Sequence, residues 1–184
     1  MFDVASLPET VRTILEPHEG GRRLMPLAPR KPLAGPGLEC LRQTDASDFG
    51  GGERGGCVRS ALFLYFSALD ESHVISQGIS SSTGSLLHGI MHRQEPDYSN
   101  AKYWFRRTSA HEIFPALREK ALELDLSDPS LGTAIEQRPK WDAFWFVDQC
   151  ERGVRKGGAL EESLLEIQSL EWRLALEHSL ALAR

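Results

Sequence analysis

Proline placement divides this chain more sharply than any other feature. Pro17, Pro26, Pro29, Pro32 and Pro36 crowd one early stretch, and the next proline after them is Pro96. Each proline fixes φ and removes a backbone donor, so long regular elements are disfavoured there. Gly50–Gly52, Gly55 and Gly56 carry the irregular composition onward. Residues 17–56 therefore read as an extended arm or loop, with Leu24, Leu27, Leu33 and Leu38 as its apolar contacts on a helical body formed by residues 57–184. Residues 1–184 fit a single domain.

A short helix with Pro8 in its first turn and Val11, Ile14 and Leu15 as its stripe precedes the arm. From residue 57 onward the patterning is helical throughout. The run CVRSALFLYFSALDESH is apolar on most sides, which suits one central, largely buried helix. Ala61, Ala68 and the run's length weigh against a strand. A second helix is expected from Ser85 to Glu95, stopped by Pro96. A third, Tyr98–Thr108, takes Asp97 as its cap. A fourth covers Phe114–Leu124, and a fifth Pro139–Arg152 with Gly153 as a stop signal. The last begins at Leu160 and carries Leu164, Ile167, Leu170, Leu174 and Leu176. Leu180 and Leu182 continue its apolar count and suggest a homodimer seam. The expected fold is all-α, an irregular bundle of about five or six helices with an extended Pro/Gly-rich N-terminal arm.

A hydrophobic fraction of 41% and a charged fraction of 26% across 184 residues argue against wholesale disorder. The net charge of −5 disfavours a general nucleic-acid binder, although Lys102, Arg106 and Arg107 form a local basic group. Cys40, Cys57 and Cys150 make no C-x-x-C pair, which excludes a zinc ribbon and a thioredoxin-type motif. The start, MFDVASLPETVRTILE, lacks a signal-peptide pattern. The apolar cluster Ala61–Phe66 falls short of the roughly 20 residues that cross a bilayer. A cytoplasmic protein with no membrane partner is the expectation. Cys57, after Gly55-Gly56 at an expected helix start, could be a nucleophile or a small buried residue. The Gly50–Gly56 loop lacks the Lys-Ser/Thr of a phosphate-binding loop and reads as a turn.

Chemistry concentrates between His88 and His111. His88, His92 and Glu95 fall within a sector of roughly 60° on one helix face. Two imidazoles four residues apart can hold one divalent metal ion, with a carboxylate as third ligand or general base. The zinc-protease pattern fails because Gly89 stands where glutamate is required. On the next helix Asn100, Tyr103, Trp104 and Arg107 share a broad face, while Lys102 and Arg106 point elsewhere. The two polar faces could converge on one cleft with aromatic walls, a composition suited to a small polar or anionic molecule. In the blander reading Trp104 and Phe105 are core, Arg107 pairs with Glu95 or Asp97, and Asn100 is a satisfied amide.

The string HGIMHRQEPDYSNAKYWFRR, followed by HEIFPAL, resembles the signature of an uncharacterised family of bacterial and fungal proteins. That signature is HGxxHRxExDxxNAxYWxRR, then a histidine and Phe-Pro-Ala-Leu. A proline commonly follows the later histidine in such relatives, whereas this chain has Glu112. The resemblance implies site roles for His88, His92, Arg93, Glu95, Asp97, Asn100, Tyr103, Trp104, Arg106, Arg107 and His111, and implies no reaction. The candidate groups are then His88, His92 and Glu95 for catalysis, His88 and His92 for a metal, and the remainder for ligand contact. A protein-interaction surface built from the same segment, and a polar network holding no ligand, are the other readings.

Overall fold

The structure, a computed structural model, describes residues 4–183. Among them are ten α-helices and no strand. In chain order they are α1 Glu9–Leu15, α2 Pro36–Arg42, α3 Gly52–Tyr65, α4 Leu69–Ser76, α5 Ser82–Gln94, α6 Tyr98–Thr108, α7 Ile113–Leu122, α8 Pro129–Glu136, α9 Ala143–Lys156 and α10 Gly158–Ala181. No helix among the described residues is long and apolar enough to cross a membrane.

The all-α class holds, with more helices than expected. The expected central helix is two. Ser67 takes a positive φ of 55°, which breaks the run into α3 and α4 and turns α4 back beside α3. The extended arm is also corrected. It contains α2 and two short 3-10 turns, and α3 begins at Gly52 inside it. Pro36 sits in the first turn of α2, where a missing N–H costs nothing. Leu27 and Leu38 reach the core, Leu33 packs at its edge, and Leu24 stays exposed. Gln168 on α10 donates from Nε2 to the carbonyls of Met25 and Pro26, tying the irregular segment to the body.

Gly153 does not stop α9, which runs on to Lys156. Its role is a close approach. A Cβ there would lie 2.5 Å from Leu164 Cδ1 and 3.1 Å from Leu27 Cδ1, so three segments meet where a side chain would not fit. α8 was not expected, though Asp128 caps it through Ser130 N and Pro129 opens it.

α3, α10 and α5 hold the middle of the molecule. Trp172 on α10 stacks on Tyr65 of α3 at 4.7 Å and donates its indole N–H to the Ala61 carbonyl at 2.7 Å. Leu164, Ile167 and Leu176 are fully buried, and Leu174, Leu180 and Leu182 pack on the same core. The apolar count assigned to a dimer seam is thus used within the chain.

α5 positions the site. Every residue from Thr83 to Gln94 is buried, so its polar groups must find partners within the protein. α6 lies close beside it: a Cβ on Gly89 would stand 3.2 Å from the Phe105 ring.

Candidate functional site

The first residue to leave the expected site is Arg93. It is fully buried and forms a doubly bonded pair with Glu171 on α10, with Gln168 Oε1 3.4 Å away. Phe146 lies under the guanidinium at 4.6 Å. A charge this deep is held by its partner and by hydrogen bonds rather than offered to a ligand. Arg93 therefore fixes α5 against α10.

His88 and His92 do converge, and a third imidazole joins them. His73 on α4 sits edge-on to both, with ring centroids 4.8 and 5.3 Å away. One ligating atom from each of the three lies within 4.8 Å of the others. His88 and His92 are buried and His73 half-buried, so the cluster opens toward solvent along α4.

Hydrogen bonding assigns the protons. Ser76 has one hydroxyl proton, which it donates to the Ser72 carbonyl at 2.8 Å. Its oxygen then accepts from His88 Nδ1–H at 3.2 Å. His92 Nδ1 faces the Glu95 carboxylate at 3.0 Å and must also carry its proton. With the protons so placed both Nε2 atoms carry lone pairs 2.9 Å apart, whereas with the His88 proton on Nε2 the same contact is an ordinary hydrogen bond to His92. Two lone pairs at that separation repel unless a cation lies between them. Burial and the neighbouring imidazoles push the His88 pKa down to about 4, so at neutral pH the cation is not its own proton. Burial lowers His92 as well, partly offset by its bond to Glu95.

α6 completes the surroundings. Asp97 caps it through Asn100 N at 3.1 Å, so its role is local. Asn100 donates an Nδ2–H to His92 Nε2 at 3.0 Å, a bond that a metal ion on that nitrogen would replace. Trp104 stacks on His88 with centroids 4.0 Å apart and planes at 23°. Arg107 lies over the Trp104 ring at 5.2 Å, and Tyr103 meets that ring edge-on. Lys102 pairs with Asp148, and Arg106 sits 5.7 Å from the Phe144 ring.

The expected common cleft takes another form. His88, Trp104 and Arg107 make a solid stack. Two cavities, about 440 and about 1350 Å³, are lined instead by His111, and neither wall includes His88, His92 or Arg107. His111 belongs to a separate cluster at the opposite end of α5. Cys57 is no nucleophile candidate, because it lies inside α3 and burial pushes its thiol up to about 12.

His73 and His178, which faces His111, escaped sequence reasoning. His73 lay in the run assigned to one long helix, so its return beside α5 was not visible. His178 sits among leucines at the end of α10. Comparison of the chain with protein-family models, with curated proteins and with solved structures finds no match.

Proposed function

We propose that His73, His88 and His92 bind one divalent transition-metal ion, and that this protein acts through that ion on a small polar or anionic molecule. The observation that carries the reading is the convergence of three imidazoles, with the His88 and His92 Nε2 atoms 2.9 Å apart and one ring nitrogen of each histidine within 4.8 Å of the others. Imidazole suits zinc, copper, iron and nickel, and three such ligands leave an open position for water or substrate.

The outer nitrogens support it. A ligating histidine ordinarily donates its other N–H to a carboxylate or similar acceptor, which fixes tautomer and ring orientation. Glu95 does this for His92 and Ser76 for His88. Glu95 is therefore an orienting group rather than a base. A tetrahedral ion at 2.0–2.1 Å from each nitrogen spaces its donors about 3.3 Å apart. The observed pair needs to open by only a few tenths of an ångström, with His73 rotating inward. The bound ion supplies Lewis-acid activation of whatever occupies the open position.

Elemental analysis of full-length protein purified without an affinity tag or chelator tests the reading. About one divalent ion per chain is expected, with His73→Ala and His88→Ala each releasing it while circular dichroism stays helical. Wild-type protein that takes up no transition metal at neutral pH, or a folded His88→Ala variant that keeps full affinity, overturns it.

A further inference from the structure

The first turn of α5 carries a second constellation, and its proton accounting differs. Thr83 Oγ1 lies 3.2 Å from His111 Nε2 and 3.2 Å from His178 Nε2. His111 Nδ1 accepts the Ile113 backbone N–H at 3.3 Å, so the His111 proton must sit on Nε2. That N–H donates to Thr83 Oγ1. The threonine's own proton is then free for one acceptor in reach, His178 Nε2. His178 in turn carries its proton on Nδ1, and the Glu112 carboxylate stands 3.8 Å from that atom. This last contact exceeds a hydrogen bond but lies within ionic reach, and such contacts tighten when a ligand binds.

Thr83 and His111 are each 4% exposed, yet both line the cavity of about 440 Å³ together with Ser82, His178 and Glu112. Ala110, Ala181, Leu182 and Ala183 supply an apolar wall. The cavity also has donors. Gly84 N bonds the Ser81 side chain and Ser85 N bonds the Ser81 carbonyl. The amides of Ser82 and Thr83 precede those bonds and so have no acceptor within the helix.

We infer that Thr83 is the nucleophile of an acyl-transfer site, with His178 as its general base and small apolar acyl esters as its substrate class. A nucleophile, a base within hydrogen-bond reach and a third group on the base's far nitrogen form the arrangement that activates a hydroxyl. His111 fixes the oxygen so that its proton points at His178, and one lone pair remains for attack. Burial holds the His111 pKa down to about 4, so it stays a neutral donor. Thr83 Oγ1 attacks the ester carbonyl carbon while its proton passes to His178 Nε2. The bond to the leaving alcohol then breaks, and that alcohol takes the proton from His178. Water repeats the sequence on the acyl-threonine, releasing the acid and restoring the hydroxyl. The Ser82 and Thr83 amides are placed to stabilise the oxyanion.

The test uses full-length protein, a fluorophosphonate probe and p-nitrophenyl acetate. Attack on the probe expels fluoride and leaves one phosphonyl group on the protein. Peptide mapping is expected to locate that group on Thr83. Thr83→Val should abolish both labelling and ester hydrolysis, and His178→Ala should slow hydrolysis more than tenfold while the helical circular-dichroism signal persists. Both reactions should survive EDTA, which separates this site from the metal reading. If either variant fails to fold, mapping of the wild-type adduct decides alone. No adduct, an adduct on another residue, or hydrolysis lost to EDTA overturns the proposal.

Discussion

Two histidine clusters hang from the same helix, and they solve the burial of imidazoles in opposite ways. Near the C-terminal end of α5, His88 and His92 have their outer nitrogens bonded to protein and their inner lone pairs turned on each other. At the N-terminal end, Thr83 stands between His111 and His178, and the His111 and Thr83 protons each have one acceptor, while His178 Nδ1 lies 3.8 Å from the Glu112 carboxylate. On the metal reading proposed above, the first arrangement is incomplete without a cation. The second accounts for the Thr83 and His111 protons within the protein and keeps a hydroxyl beside a cavity. Residue type alone does not separate them; the identity of the atom opposite each ring nitrogen does.

The largest expected effect tests the incompleteness. His88→Ala removes one of the opposed lone pairs, and transition-metal affinity should fall by roughly a thousandfold, more than the 10–100-fold typical of an outer partner. Isothermal titration with zinc measures it. A fall of less than tenfold in folded protein would mean that the two clusters do not differ in this respect.

The next effect belongs to the N-terminal cluster and follows from proton linkage. His111 has a folded pKa of about 4 against an ordinary 6.5, so the unfolded chain binds the extra proton first. Its contribution is present above pH 6.5 and is lost as pH falls through about 4. A shift of that size corresponds to at most about 3 kcal/mol. Urea unfolding at a series of pH values, with His111→Gln as the comparison, should show the variant's curve flatter across that window. Parallel curves would count against a neutral, buried His111.

Glu95→Gln comes third. It keeps the shape of the acceptor and removes the charge behind His92. Metal affinity should drop about tenfold, with the ion still bound at saturating concentration. Complete loss of the ion would make Glu95 a ligand and redraw the cluster.

Gly89→Ala should have the smallest effect. The added methyl meets the Phe105 ring at 3.2 Å and must push α6 away from α5. About 1 kcal/mol of stability should be lost, as for mild overpacking. Metal affinity should weaken a few-fold because Asn100 and Trp104 ride on α6. An effect on stability with none on the metal would show that α6 contributes packing alone.

Legibility in the sequence followed the distance over which partners act. α6 was bounded correctly because its cap, Asp97, and its amphipathic face are both local signals. The His88–His92 pairing was visible for the same reason, since one helical turn fixes it. Arg93 enters the site through the resemblance alone, with Glu95 and Asp97 as the only acids near it in sequence. Glu171, its partner, lies 78 positions away. Gly153 read as a stop because sequence shows a missing side chain but not the Leu164 methyl that occupies its space. His73 was hidden by the break at Ser67, whose φ of 55° is a backbone conformation that a lone serine within an apolar run does not announce. α8 offered a cap and a proline, Asp128-Pro129, but eight residues are too few for periodicity to register.

The spacing of the two clusters along the chain also sets an order of events. His73, His88 and His92 belong to consecutive helices, so pairing α4 with α5 is enough to gather them. Thr83 meets His178 across 95 positions and only after α10 has docked. Short-range pairing precedes long-range closure in time, because closing a long loop costs more entropy before any contact repays it. On a chain emerging from synthesis the imidazoles of the first group can therefore capture an ion while the last helix is still unmade. The second group assembles only once α10 has been made and has docked. One end of α5 is gathered by neighbours in sequence, and the other waits for a distant helix.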